Sequence, residues 1–308
     1  VTGYQILVGT GDGVVRTSPD AADAPGGENG ERLLPGTAVT ALHPSAERTW
    51  VLADRRTLHR VDADGPAEVA SLDDRVGSCV IEHGGSVFVG GNDAQLWRLD
   101  GGDLVLQPSF RSAPTSDRWS TPWGGPPAVF SMADSGDDLY VGVHVGGIMR
   151  SSDGGRSWTP TIDLDEDVHR VVADERGDLW AATGHGALAH STDRGATWAF
   201  HAAGLHGTYL LTVAVAGADV LVGASSGPHA DDGALYRFDG DAFERCGAGL
   251  PADLGGAVGP RRLAAAGDVA AVALPSGDVH ASVDGGRSWA QVAERLPNVS
   301  EVVVRRCG

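Results

Sequence analysis

The chain has 308 residues, 42% of them hydrophobic and 21% charged, which is ample apolar material for a core and too little charge for a disordered polymer. Its 41 acidic and 23 basic residues leave a formal charge of −18, so neither nucleic acid nor an anionic membrane surface is expected as a partner. No apolar run reaches the roughly 18 residues of a transmembrane helix, and every basic residue is an arginine, the side chain that grips carboxylate or phosphate with a rigid fork.

The first residues lack the basic start and apolar stretch of a secretory leader, and strand-like sequence begins almost at once. A valine-coded start at residue 1 would make the chain cytoplasmic; a secreted chain with its leader trimmed would begin the same way. Cys79, Cys246 and Cys307 are odd in number and widely spaced, which predicts neither a disulfide framework nor a CxxC metal or redox motif.

In chain order, residues 5–8 and 14–17 read as strands, and Asp20 then opens a series of similar turns. The series continues at Asp62 and Asp100 and becomes unmistakable at residues 151–158, which hold Ser151, Asp153, Gly155, Ser157 and Trp158. The same pattern returns at residues 191–198 with Asp193 and Trp198, weakly at Asp239, and again at residues 282–289 with Asp284 and Trp289. The steps between the seven aspartates are 42, 38, 53, 40, 46 and 45 residues, the period of a four-stranded propeller blade. Within one period, residues 168–173, 179–182, 187–190 and 198–201 read as strands A to D between Gly and Asp turns. Only two strands fit before Asp20, while residues 299–305 form an extra strand after the last blade. The prediction is an all-β, seven-bladed β-propeller, one domain over residues 1–308, closed by the C-terminal strand completing blade 1.

In that architecture the D-to-A and B-to-C loops share one face, and the longest loops, residues 110–127 and 225–233, fall there. Five of the eleven histidines map to the same face. His144, His185 and His229 lie in B-to-C loops of blades 4, 5 and 6, and His169 and His206 lie at the starts of strands A in blades 5 and 6. Converging neutral imidazoles ligate zinc, iron, manganese or copper, and His144, His169 and His206 are the predicted ligands; without metal the same rings serve as acid or base. Arg75, Arg170, Arg261 and Arg262 fall near the starts of A strands, and Arg118 lies in the long loop with Trp119 and Trp123. Arg170 is predicted to hold a small anionic molecule, with Arg118, Trp119, Trp123, His185, Tyr209 and His229 lining its pocket. Asp165, Glu166 and Asp167 are further acid or base candidates, and Cys79 reads as a small core residue rather than a nucleophile.

The octapeptides at 151–158, 191–198 and 282–289 resemble the Asp-box, or BNR repeat, of sialidases, xyloglucan-cleaving propellers, sortilin-like receptors and photosystem II assembly factors. The resemblance implies a scaffold role for these turns. Sialidase catalytic residues are not carried over: an Arg-Ile-Pro motif is absent, and none of Tyr4, Tyr140, Tyr209 and Tyr236 can be paired with a glutamate. Three functions stay open: an enzyme acting on a small anionic substrate at the channel mouth between blades 4 and 6, a non-catalytic propeller binding a protein partner, and a BNR-type glycoside hydrolase.

Overall fold

The computed structural model describes residues 3–23, 30–45 and 47–307. Among the described residues the strands form seven four-stranded antiparallel sheets, the blades of a β-propeller. Blade 5 shows the plan: strands Val168–Ala173, Leu179–Thr183, Leu188–Ser191 and Ala199–His201 run in that order across the sheet, within about one residue of the predicted bounds. Strand B is buried at every position in blades 4 to 7, over Asp138–Val143, Leu179–Thr183, Asp219–Ser225 and Val269–Ala273. Both faces of such a strand pack on other blades, so Val, Leu and Ala occupy it without the polar alternation of a solvent-facing sheet. The outermost strands are short, as in Ala199–His201, and Thr159–Pro160 ends on a proline, which limits the unpaired edge that each blade presents.

The ring closes as the sequence predicts. The C-terminal strand Glu301–Arg306 pairs antiparallel with Tyr4–Thr10, matching Val304 to Ile6 and Val302 to Val8, and so becomes strand A of blade 1. The 53-residue step between Asp100 and Asp153 reflects the long loop before blade 4. That loop folds into a short helix, Pro108–Arg111, and a 3-10 turn, Ser116–Arg118, and buries Phe110 between Trp119 and Trp158, each 4.9 Å away ring to ring.

The three strong repeats build one hydrogen-bonded turn. Asp153 Oδ1 accepts from the Ser151 hydroxyl and the Arg156 and Ser157 N–H groups, Oδ2 accepts from the Ser157 hydroxyl, and Gly155 N–H donates to Ser151 Oγ. Asp193 and Asp284 repeat the pattern. Gly286 needs its φ of +88°, and a Cβ there would lie 2.5 Å from Leu221 of the preceding blade. Hydrogen bonds to the charged form hold Asp153 and Asp193 down to about 2; at Asp284 burial opposes them, yet its carboxyl also falls to about 2. Each folded pKa lies below the unfolded value, so the stabilisation is present above 3.8 and lost as pH falls toward about 2. We expect the melting temperature to drop across that window, and to drop less when all three aspartates are replaced by asparagine. Parallel acid limbs in calorimetric scans of the two proteins would contradict this.

Candidate metal centre at the channel mouth

Strands A of blades 2 to 6 share a local feature. Each carries a β-bulge near its start, between Val39 and Ala41, Gly77 and Cys79, Val129 and Ser131, Val168 and Arg170, and Leu210 and Thr212. The extra residue has no partner in the ladder and is re-aimed. In blade 5 that residue is His169.

His169 is buried, and its two ring nitrogens have different neighbours. Nδ1 lies 2.7 Å from the Leu210 carbonyl oxygen, an acceptor, so Nδ1 carries the hydrogen. In the neutral ring Nε2 is then a lone pair. The Tyr209 hydroxyl lies 3.1 Å from Nε2 and donates to it, while Asp167 Oδ2 lies 3.2 Å from the same nitrogen. A lone pair and a carboxylate oxygen at that distance repel unless a proton or a metal ion sits between them.

Asp167 precedes strand A of blade 5 and is only 4% exposed. Its backbone is pinned by a bridge to Val145 and by the Gly184 N–H, which donates to its carbonyl oxygen. Its second carboxylate oxygen, Oδ1, is 3.1 Å from His144 Nε2, yet no aligned donor reaches it. Burial alone would push the Asp167 carboxyl up; when the facing nitrogens of His144 and His169 carry protons, their hydrogen bonds and charge more than offset it and hold the carboxyl well below the usual carboxylate range. Tyr209 moves the other way: burial, then the charge of Asp167, pushes its hydroxyl up to about 12, so it stays a donor.

His144 enters from the B-to-C loop of blade 4. Its N–H donates to the Ala128 carbonyl, and its own carbonyl accepts from the Val168 N–H. The Phe130 ring lies 4.1 Å from the imidazole and the Trp123 ring 5.4 Å from it. Trp119 sits beneath the same loop, where a Cβ on Gly146 would fall 2.6 Å from its indole, so only glycine lets loop and indole approach. One ligand atom from each of His144, Asp167 and His169 lies within 4.8 Å of the others. Two imidazoles and a carboxylate are a ligand set for zinc or a first-row transition metal, and the His169-to-carbonyl hydrogen bond is the outer-shell contact that orients such a ligand.

The other candidate residues are placed differently. His206 stands apart from this cluster: its Nδ1 is 2.9 Å from the Tyr236 hydroxyl and its Nε2 is 3.8 Å from Asp232. The third member beside His144 and His169 is Asp167. Arg170 turns away from His169 and lies 3.5 Å from Glu301 across the ring. Arg118 meets Asp165 in a surface pair, and His185 and His229 are exposed. Trp119 is buried, whereas Trp123 is 74% exposed with its edge toward His144. Cys79 is buried, and burial pushes its thiol up to about 11, which suits a core residue and not a thiolate nucleophile. Asp167 stood in sequence as one of three consecutive loop acids, and Phe130 carried no signal; the bulge that aims both neighbourhoods is a pairing feature with no residue signature of its own.

No protein-family model matches the chain, and no curated protein matches it. Solved structures share its fold. The putative 6-phosphogluconolactonase from Bacteroides uniformis superposes with a TM-score of 0.66 at 12% identity over 99% of this chain and 100% of that one. The GH74 xyloglucanase from Xanthomonas campestris gives 0.61 at 18% identity over 94% of this chain, which spans only 46% of the xyloglucanase. YCF48 from Cyanidioschyzon merolae gives 0.58 at 15% identity, covering 84% of this chain and 87% of that one. Identities this low show a shared propeller architecture and nothing of a shared activity.

Proposed function

We propose that this chain is an enzyme of the Asp-box propeller type that acts on a small anionic molecule at the channel mouth between blades 4 and 6. In this reading His144, Asp167 and His169 hold a divalent transition metal, zinc, iron, manganese or copper. One observation carries it: His169 Nδ1 is committed to the Leu210 carbonyl while Nε2 faces Asp167 Oδ2 at 3.2 Å, an arrangement satisfied by a metal ion between them or by a proton on Nε2, and metal retention distinguishes the two. Support comes from Asp167 Oδ1, buried and without an aligned donor 3.1 Å from His144.

A metal bound by three protein ligands keeps open positions, where it polarises a substrate oxygen or acidifies a water. The remaining groups have definable tasks. Tyr209 presents a protonated hydroxyl beside the ligands, released from His169 Nε2 once the metal takes that lone pair, Phe130 packs against the plane of His144, and Trp123 offers an exposed aromatic wall for the substrate. The activities named for the structural neighbours do not enter this reading. Protein purified without a histidine tag and equilibrated with each of the four metals should retain about one equivalent per chain by mass spectrometry of the elements. Retention below about a tenth of an equivalent for all four would overturn the metal centre.

A further inference from the structure

Beside the His144, Asp167 and His169 cluster the channel mouth opens into a cavity of about 570 Å³ lined from blades 1, 2, 3, 4 and 7. That volume suits a small organic molecule. Thr40, Ser78 and Phe130 line it, and these are the bulged residues of blades 2, 3 and 4, the position that His169 holds in blade 5. Phe130 is a wall of the cavity and also packs, tilted, against His144, so cavity and cluster share a side chain.

The charges in this cavity are unbalanced. Arg55, Arg261 and Arg262 line it against one carboxylate, Asp54, whose Oδ1 accepts the Ala38 N–H. Arg261 is spent on the scaffold: it donates to the carbonyls of Ser78 and Thr40 and lies 3.9 Å from Glu301. Arg262 is half-buried, yet among the described residues its guanidinium has no ion pair and no hydrogen bond. Its burial pushes the guanidinium down with no carboxylate to oppose the shift. A partly desolvated arginine fork without a partner is costly unless a ligand supplies the anion. Arg55, exposed on the same rim, has a guanidinium that likewise makes no ion pair or hydrogen bond among the described residues. Its backbone is held in the left-handed region at φ 61° by hydrogen bonds to Thr40 Oγ1 and from the Gly77 N–H. The rest of the lining includes Val39, Phe130 and Val299, so the site is apolar around a cationic edge.

We propose that this cavity binds an organic anion, with its carboxylate or phosphate on the Arg262 and Arg55 guanidiniums and its apolar body against Phe130. The inference rests on the function proposed above only in placing the far end of that body toward the metal centre. Calorimetric titration with phenylacetate, phenyl phosphate and inorganic phosphate tests it on wild type, Arg262→Gln and Asp167→Asn. We expect phenylacetate or phenyl phosphate to bind one site per chain more tightly than inorganic phosphate, and which one does identifies the anionic group. Arg262→Gln should weaken that binding by about tenfold or more while melting normally and keeping its metal. Asp167→Asn should lose metal yet keep the anion affinity within about twofold, since the two sites do not share charged groups. No binding of either aromatic anion, binding no tighter than inorganic phosphate, or unchanged binding by Arg262→Gln would overturn the proposal. Anion binding without metal retention would overturn the metal centre alone.

Discussion

Replacing Glu301 by alanine is expected to destabilise the fold by about 3–5 kcal/mol, the scale for removing one partner of a buried ion pair. Glu301 opens the closing strand and is only 2% exposed. One oxygen accepts the Leu42 N–H of blade 2 at 2.7 Å and lies 3.9 Å from Arg261 of blade 7; the other lies 3.5 Å from Arg170 of blade 5. Burial pushes this carboxyl up, and the two arginines oppose that shift. Burial likewise pushes Arg170 down, opposed by Glu301. Without the carboxylate, two guanidiniums would face one another in the channel, each short of a counter-charge. Glu301→Gln should fall between alanine and wild type, because an amide oxygen can still accept the Leu42 N–H but brings no charge. Denaturant unfolding measures both; a loss below about 1 kcal/mol for alanine would mean that water already compensates the pair.

The second large effect is expected at Asp167. Asp167→Asn should weaken metal binding by at least about 100-fold, beyond the loss typical of an outer-shell partner, because it removes the only charged ligand of the cluster. His206→Ala should leave metal affinity unchanged, since that ring is engaged with Tyr236 and Asp232. Competition against a chelating dye separates the two variants. Equal losses in both, or none in Asp167→Asn, would place the ion elsewhere.

The architecture was legible because its signal is periodic and local. A turn built from Ser, Asp, Gly and Trp stabilises itself within a few residues, so each copy marks a blade wherever the chain repeats it. Even the degenerate anchor at Asp239 marks a C-to-D hairpin, with its carboxylate accepting the Asp241 and Ala242 N–H groups. The face bearing His144 and His169 followed from strand order alone. Side-chain direction did not. At a bulge one extra residue changes which way its neighbours point, so Arg170 turns to Glu301, 131 positions away in sequence, while His169 turns to Asp167. Among Asp165, Glu166 and Asp167 the sequence offered no ranking, because the selection is made by burial against Val145 and Gly184, which sequence proximity does not express. Arg262 was readable as a cation near the mouth; its lack of a counter-charge among the described residues emerges only once the other described arginines and carboxylates nearby have been placed.

The metal centre itself is best tested by anomalous diffraction at the zinc edge from crystals of tag-free protein soaked in zinc. The account predicts one dominant peak at about 2.0–2.2 Å from a nitrogen of His144, a nitrogen of His169 and an oxygen of Asp167, with Tyr209 in the next layer. Peaks confined to the exposed His185, His206 or His229, with nothing between His169 and Asp167, would contradict it.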